Sequence, residues 1–250
     1  MNWRMMLPAA ALLLGTSTMP AFAQDTDEAV DPEQARIEEI VREYLLEHPE
    51  VVVEALQAYE TQRMAAQQAE QVEVVTTLAD QLFYNPLSPV AGNPDGDVTI
   101  VEFFDYNCPY CKRVTPDIAT LLEADGDIRF VYKEWPILSA ESEIAARAAL
   151  AAHQQSEDAY IRLHDAMMAH RGKLDRDSVM ALAATQGLNM ERLEDDMEGD
   201  QVTAEIEHVR RLADQIGIDG TPAFLIGEQV VPGAIDIEEM KRLVAAARES

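Results

Sequence analysis

The stretch that most limits how this chain can fold runs from residue 98 to residue 125, where a strand-like run leads into a helix-like one. The first part, "VTIVEFF" at 98–104, is short, apolar and rich in β-branched residues, which is typical of a buried strand. The second part, "CKRVTPDIATLLEAD" at 111–125, has apolar residues at helical spacing. Cys108 and Cys111, the only two cysteines of the chain, lie at this junction. The pattern therefore predicts a strand and a helix with both sulfurs near the turn between them.

Further strand and helix signals on the C-terminal side predict an α/β fold. "DIRFVYKEWPIL" at 127–138 is typical of a second strand, and the Ala-, Leu- and Met-rich segment at about 139–215 predicts a helical insertion. "TPAFLIGEQVVPGA" at 221–234 predicts two strands joined by a tight turn at Gly227, followed by a terminal helix. The expected order is strand, helix, strand, a block of helices, a hairpin and a helix.

The N-terminus has the composition of a secretory signal peptide. Arg4 precedes an uncharged apolar run that ends in the small-x-small sequence Ala21-Phe22-Ala23. The alternative is a membrane anchor, but Gly15 and Pro20 weaken the run as a stable span. We expect cleavage after residue 23 and export to the periplasm, an oxidising compartment in which disulfides persist.

The charge of the chain bears on its partners. Lys and Arg total 19 against 46 Asp and Glu, which gives a formal net charge of -27 and a pI of about 4.3. A surface of this sign repels nucleic acid and anionic lipid, so we expect neither as a partner.

Residues 24–84 are predicted to form an N-terminal helical segment. Apolar residues recur at helical spacing from Ile37 to Leu82, with a break at His48-Pro49, and "NPLSPVAGNPDGD" at 85–97 has the composition of a linker. A long helix with one apolar side needs that side covered, either by the C-terminal domain or by another copy of the chain. We favour self-association, with the C-terminal domain spanning 85–250.

Two cysteines three residues apart allow three interpretations. As a structural staple they close almost no loop, and a disulfide stabilises through the loop that it closes. A zinc site needs about four ligands, and the five histidines show no clustering with the pair. These are His48, His153, His164, His170 and His208; His164 and His170 are expected to be surface or half-buried residues. A redox pair fits best, and no metal or cofactor is predicted.

The position of Cys108 gives the two sulfurs different roles. A sulfur at the start of a helix lies near unpaired backbone N–H groups and the positive end of the helix dipole, which lower its pKa from the free value of about 8.5. Pro109 suits the first turn. Cys108 is therefore the predicted nucleophile and Cys111 the resolving thiol. Lys112 and Arg113 are expected either to lie near the thiolate or to be solvated surface charges.

"VEFFDYNCPYCKR" at 101–113, the helical block after it and "GTPAFLIG" at 220–227 together resemble the DsbA-like branch of thioredoxin-fold proteins. The resemblance covers residues from about 87 to 250 and implies a thioredoxin-like fold and thiol-disulfide exchange. It implies that Thr221-Pro222 is a cis-proline loop packed against the active site, where backbone groups pair with a bound substrate chain. It also implies that Glu102 is a buried acid that shuttles the proton of Cys111, for which Lys133 is a candidate partner.

"IEEIVREYLLEHPEVVVEALQAYE" at 37–60 is similar to the N-terminal region of the suppressor-of-copper-sensitivity C (ScsC) proteins. That subgroup includes oligomeric disulfide isomerases, and Thr221 resembles their residue before the cis-proline. The resemblance implies a periplasmic homo-oligomeric isomerase or reductase that acts on protein thiols and disulfides and is recycled by a membrane redox partner. The alternatives are a monomeric DsbA-type dithiol oxidase and, from another class, a chaperone or a protein that binds Cu(I) through the two thiolates.

Overall fold

The computed structural model describes residues 31–249, so the predicted signal peptide at 1–23 lies outside the described residues. The chain divides into two compact units, the first ending at Tyr59 and the second beginning at Glu60. Among the described residues, none of the helices is both long enough and apolar enough to cross a membrane.

The first unit contains helix α1 (Pro32–Glu47) and the start of helix α2 (Pro49–Thr77). Asp31 caps α1 by accepting the N–H of Glu33 at 3.0 Å. The helix ends at His48, because the residue before a proline is disfavoured in helical conformation. The predicted break is confirmed.

This unit exposes most of its large apolar side chains to solvent. In α1 they recur at Ile37, Ile40, Val41 and Tyr44, the three- and four-residue spacing of one helical face. The full set, each member at least 43% exposed, is Ile37, Ile40, Val41, Tyr44, Leu46, Val52, Val53, Leu56 and Tyr59. We call these nine residues the apolar stripe.

The second unit contains the rest of α2 and all the remaining elements. In chain order these are α3 (Ala79–Phe83), β1 (Val90–Gly92), β2 (Val98–Phe104), α4 (Pro109–Ala124), β3 (Ile128–Glu134), α5 (Ala140–Gln155), α6 (Glu157–Ala169), α7 (Arg176–Thr185), α8 (Met190–Met197), α9 (Asp200–Ile216), β4 (Ala223–Ile226), β5 (Gln229–Pro232) and α10 (Ile237–Glu249). The predicted α/β thioredoxin-like fold with a helical insertion is confirmed.

The five strands form one sheet in the order β1-β3-β2-β4-β5. Strands β2 and β3 pair in parallel, with Glu102 opposite Tyr132, and the other pairs are antiparallel. Strand β2 is therefore central, and the helix that follows it starts in the middle of the sheet edge. This places Cys108 where several elements meet.

Helices cover both faces of the sheet. Phe104 and Phe224 on one face pack in a core with residues of α4, α5–α8 and α10. Val101 and Phe103 on the other face pack with residues of α9 and with Val75 and Leu82 of α2 and α3. Leu82 is fully buried, and burying one such side chain contributes about 1.5–3 kcal/mol. The C-terminal part of the predicted N-terminal segment is thus attached to the sheet.

The structure differs from the prediction of a linker at 85–97. Strand β1 lies inside this stretch and pairs with β3, with Val90 opposite Val131. Ser88 is buried, and the N–H of Asn93 donates to the carbonyl of Ile128 at 2.8 Å. A three-residue strand is too short to show an alternating pattern, and its Pro and Gly neighbours have loop composition.

Candidate active site

The local geometry around Cys108 follows from the junction between β2 and α4. The N–H of Cys108 donates to the carbonyl of Asp105 at 3.0 Å, and the carbonyl of Cys108 accepts the N–H of Lys112 at 3.1 Å. Cys108 is the N-cap of α4, and its Sγ accepts the N–H of Cys111 at 3.4 Å. The sulfur therefore lies at the positive end of the helix dipole, as predicted.

The second wall of the site is the loop before β4. The Cys108 Sγ lies 3.2 Å from the carbonyl oxygen of Thr221, and the Thr221-Pro222 peptide bond is cis, as expected from the resemblance. The buried Oγ1 of Thr221 has no hydrogen-bond partner. The structure thus brings together three of the sequence-predicted site residues, Cys108, Thr221 and Pro222.

The two thiols have opposite acidities. Hydrogen bonding from the thiol of Cys111, helped by backbone N–H groups and opposed by burial, lowers the pKa of Cys108 to about 6. Burial raises the pKa of Cys111, and its hydrogen bond to Cys108 raises it further. At neutral pH Cys108 is the thiolate and Cys111 holds the proton; the roles of nucleophile and resolving thiol stay predictions.

Glu102 lies in the middle of β2 and is buried, as the resemblance implies. Its Oε1 has no hydrogen-bond partner. Burial raises the pKa of Glu102 to about 8, with a second contribution from the charge of Cys108. Its charge in turn raises the pKa of Cys111.

The suggestion that Lys133 pairs with Glu102 is wrong. Glu102 lies opposite Tyr132 in the parallel pair, and neighbouring strand residues point to opposite faces, so Lys133 projects from the other side of the sheet. There its Nζ donates to the carbonyl of Gln81 at 2.8 Å and to the Oγ of Ser88 at 2.7 Å.

The two basic residues after Cys111 also behave differently from each other. The Nζ of Lys112 donates to the carbonyls of Met167 and His170, at 3.0 and 2.8 Å, and so closes the C-terminal end of α6. Lys112 is therefore neither a neighbour of the thiolate nor a solvated surface charge. Arg113 is exposed, and its guanidinium carbon lies 4.9 Å from the centre of the Tyr110 ring.

A buried polar cluster that the sequence analysis did not identify lies on the same face of the sheet as Glu102. The Oε1 of Glu134 accepts the hydroxyls of Tyr106 and Tyr160 at 3.1 and 2.9 Å, and the Tyr106 oxygen lies 3.0 Å from Nδ1 of His164. Because both tyrosine protons go to Glu134, His164 must donate to Tyr106. Burial raises the pKa of Glu134 and lowers that of His164 to about 3.

This cluster corrects the expectation for His164, and the position of Glu134 in β3 could have been predicted from the strand pattern. His164 is buried, not a surface or half-buried residue. Strand β3 buries Ile128, Phe130, Tyr132 and Glu134 on one face, so its alternation does point Glu134 inward. No sequence signal identified the tyrosine and histidine partners, which come from other elements.

Asp105 is a second buried acid near the site that the sequence analysis did not identify. This buried carboxylate accepts the N–H of Asn107 at 2.7 Å through Oδ1, and those of Ile137 and Leu138 at 2.9 and 3.0 Å through Oδ2. It therefore ties the loop that carries Cys108 to the loop after β3.

A cleft of about 430 Å³ is lined in part by Thr221, whose carbonyl oxygen lies 3.2 Å from the Cys108 sulfur. Its walls come from the start of α4, the loop before β4 and the end of β5. The lining residues are Tyr110, Arg113, Asp219, Gly220, Thr221, Pro222, Pro232, Gly233 and Ala234. Within residues 31–249, no group of three or more His, Cys, Asp or Glu side chains is arranged to hold a metal ion.

Two family descriptions match the chain. Residues 84–246 match the thioredoxin family, and residues 33–66 match the N-terminal domain of the copper resistance protein ScsC. The larger match covers more than half of the chain and contains every residue of the site.

Solved structures with the same fold include a thioredoxin-like oxidoreductase from Silicibacter pomeroyi, 46% identical with a TM-score of 0.66, over 68% of this chain and 98% of that one. The thiol-disulfide exchange protein alpha-DsbA2 from Wolbachia pipientis is 28% identical, with a TM-score of 0.68, over 72% and 97%. ScsC from Proteus mirabilis, in a transitional conformation, is 27% identical, with a TM-score of 0.66, over 90% and 99%.

Among curated proteins, a Na(+)/H(+) antiporter, NhaA 1, from Salinispora arenicola is 29% identical over 160 residues. The match takes in 63% of this chain but only 24% of the antiporter, so the chain spans about a quarter of that relative.

Proposed function

The chain belongs to the thioredoxin family, and from that premise we propose that it is a thiol-disulfide oxidoreductase acting on protein disulfides through Cys108 and Cys111. The observation that carries the proposal is the Cys108 sulfur at the start of α4, 3.2 Å from the Thr221 carbonyl and next to a buried, protonated Cys111. A structural disulfide or an inert buried thiol needs neither the lowered pKa nor the adjoining cleft.

The first step uses the thiolate of Cys108. It attacks one sulfur of a substrate disulfide, forms a mixed disulfide with it, and releases the other substrate sulfur as a thiolate. Backbone groups of Thr221 beside the cleft pair with the substrate chain and hold its sulfur in line. No electrons enter or leave in this step, because one disulfide replaces another.

The second step uses Cys111 and Glu102. Once Cys108 is part of the mixed disulfide it carries no charge, so one of the two effects that raise the pKa of Glu102 is gone. The Glu102 carboxylate takes the proton of Cys111, whose sulfur attacks Cys108 and displaces the substrate sulfur. The substrate leaves with two electrons gained, and the chain keeps a Cys108–Cys111 disulfide. The reverse sequence oxidises a substrate dithiol.

An isomerase or reductase role in a homo-oligomer is the form of this activity that we favour. The apolar stripe supports it, because nine exposed large apolar residues at helical spacing indicate a surface buried in an assembly. The match to an ScsC N-terminal domain covers all nine of these residues. A monomeric dithiol oxidase would have no use for this surface.

The cellular setting is also part of the proposal. Export to the periplasm rests on the signal-peptide composition of residues 1–23, and a membrane redox partner would return the cysteines to their working state. A role for the thiolates as Cu(I) ligands is the alternative suggested by the copper-resistance description of the matched N-terminal domain.

The activity is tested with the mature chain on a protein whose disulfides have been scrambled. Cys108→Ala should abolish reactivation, because no thiolate remains to attack. Cys111→Ala should instead trap mixed disulfides, visible as adducts on non-reducing gels. If Cys108→Ala kept full activity, the proposed enzyme function would be wrong; Cu(I) binding without exchange would favour the copper alternative.

Assembly is tested by light scattering on the mature chain and on a variant with Ile40→Asp and Leu56→Asp in the apolar stripe. The charged variant should fall to the monomer mass and keep disulfide exchange with a small substrate. A monomeric mass for the unmodified chain would rule out self-association.

A further inference from the structure

Arg113 stands apart from the other basic residues around the site. Lys112 is committed to two backbone carbonyls at the end of α6. Several arginines of the same unit, such as Arg147, Arg192 and Arg248, form ion pairs with carboxylates, although Arg129 and Arg211 form none with the described residues. Within residues 31–249, no ion pair joins Arg113 to a carboxylate. Its guanidinium is therefore available to a ligand.

The side chain is also held in a defined place. The ring of Tyr110 lies 4.9 Å under the guanidinium carbon, an arrangement that orients an arginine without using its hydrogen-bond donors. Both residues line the cleft of about 430 Å³ that also contains Thr221. Because the Thr221 carbonyl lies 3.2 Å from the Cys108 sulfur, a substrate chain bound at that sulfur passes this cation.

The chemistry of the cleft points to a carboxylate. A planar guanidinium matches the two oxygens of a carboxylate and can donate two parallel hydrogen bonds to them. The chain carries a formal net charge of -27, so its overall field repels acidic substrates and a local cation compensates. Asp219 lines the same cleft and has the opposite sign, so the two side chains together set the charge preference.

We propose that Arg113 is a specificity-determining residue that binds a carboxylate of the substrate close to the disulfide that Cys108 attacks. The substrate class is a disulfide with an acidic group within one or two residues of its sulfur, supplied either by an acidic polypeptide segment or by glutathione. This inference deepens the proposed exchange activity and rests on it. It adds no covalent step, since Arg113 only positions the substrate.

The test compares two peptide disulfides that differ only in Glu or Gln next to the cysteine. Second-order rate constants for the reduced full-length mature chain give a Glu/Gln ratio. This ratio cancels any change in the Cys108 thiolate, because the same sulfur attacks both peptides. Glutathione disulfide against uncharged hydroxyethyl disulfide forms a second pair that separates the two sources of the carboxylate.

Arg113→Gln should lower the Glu/Gln ratio about fivefold, the upper range for one partly exposed ion pair. Asp219→Asn should change it in the opposite direction, because it removes a like charge from the cleft. Arg63→Gln is the control: it removes one exposed positive charge of α2 outside the cleft and should leave the ratio within about 20%.

Each outcome has a fixed meaning. A fall in the peptide ratio assigns the subsite to acidic polypeptides, and a fall confined to the glutathione pair assigns it to glutathione. If Arg113→Gln and Arg63→Gln change both ratios equally, Arg113 binds no carboxylate and the inference is wrong. If the unmodified chain reacts with none of the four disulfides, it is the proposed exchange activity that fails.

Discussion

Strands β2 and β3 bury ionisable side chains on both of their faces, and the two faces differ in how these groups are paired. On the face that packs against α4, Glu102 and Glu134 each keep one carboxyl oxygen without a hydrogen-bond partner. On the opposite face, the ammonium group of Lys133 donates to Gln81 and Ser88. Ser88 and Asn85 in turn donate to Glu205.

This difference in hydrogen bonding indicates that the Lys133 network stabilises the fold, whereas the acids on the other face are suited to reaction. A buried charge that is hydrogen-bonded to its surroundings fixes structure, and here the Lys133 network holds the segment before β1 against α9. A buried acid without partners costs stability and shifts its own pKa, and such groups cluster at functional sites. Of the two acids on the face with Cys111, Glu134 accepts two tyrosine hydroxyls, and Glu102 is the one that takes the proton in the proposed mechanism.

The largest expected effect comes from breaking the paired network. Glu205→Gln leaves Lys133 as a buried cation without the carboxylate to which Ser88 links it, and an uncompensated buried charge should lower the free energy of unfolding by about 4 kcal/mol. Glu207→Gln, on the exposed side of the same helix, is the matched control. Urea denaturation at pH 7 measures both. Equal, small effects would mean that the Lys133 network is not a stabilising element.

Glu102→Gln should raise the free energy of unfolding, whereas Glu205→Gln lowers it. The folded pKa of about 8 lies above the ordinary value of 4.5, so the folded state binds more protons between these limits and the stability of the unmodified chain falls as pH rises through them. The neutral variant escapes this loss and should be more stable by about 3 kcal/mol at pH 7. The gain should vanish near pH 4.

The same variant provides a functional readout. Because Gln accepts no proton from Cys111, release of the mixed disulfide should slow, while attack by Cys108 on a small disulfide is little changed. Stopped-flow measurement separates the two steps. A variant that loses stability at every pH and resolves at the normal rate would exclude Glu102 as the proton acceptor.

Local sequence patterns predict part of the fold and of the site. The strand before Cys108 and the helix after it follow from local periodicity, and the thiolate position follows from the helix start. The register of β2 against β3 decides that Lys133 and Glu102 lie on opposite faces, and the partners of Lys112 lie at the end of α6, more than 50 residues away. Local sequence patterns predict neither the strand register nor a contact between residues so far apart in the chain. The family resemblance predicted that Glu102 is a buried acid. The role of Glu134 became visible only in the structure, which shows its hydrogen bonds to Tyr106 and Tyr160.

Glu134→Gln should have the smallest effect on the free energy of unfolding. It compares Glu134 with Glu102, the other buried acid on the face of the sheet that packs against α4. The amide oxygen of Gln can still accept both tyrosine hydroxyls, and the amide is uncharged like the protonated acid, so the free energy of unfolding at pH 6 should change by less than about 1 kcal/mol. Glu134→Ala is the informative counterpart. It leaves Tyr106 and Tyr160 without their acceptor and should cost about 2 kcal/mol.

The pH dependence decides the charge state of Glu134. Burial raises its folded pKa above the ordinary value, so the folded protein holds the proton longer than the unfolded chain and loses stability as pH rises. Thermal melts from pH 6 to pH 8 should therefore shift progressively in favour of Glu134→Gln. If the difference in stability between the two proteins instead stayed constant from pH 6 to pH 8, Glu134 would be ionised in the folded protein throughout this range and stabilised by its tyrosines, a well-paired carboxylate like Glu205 on the opposite face.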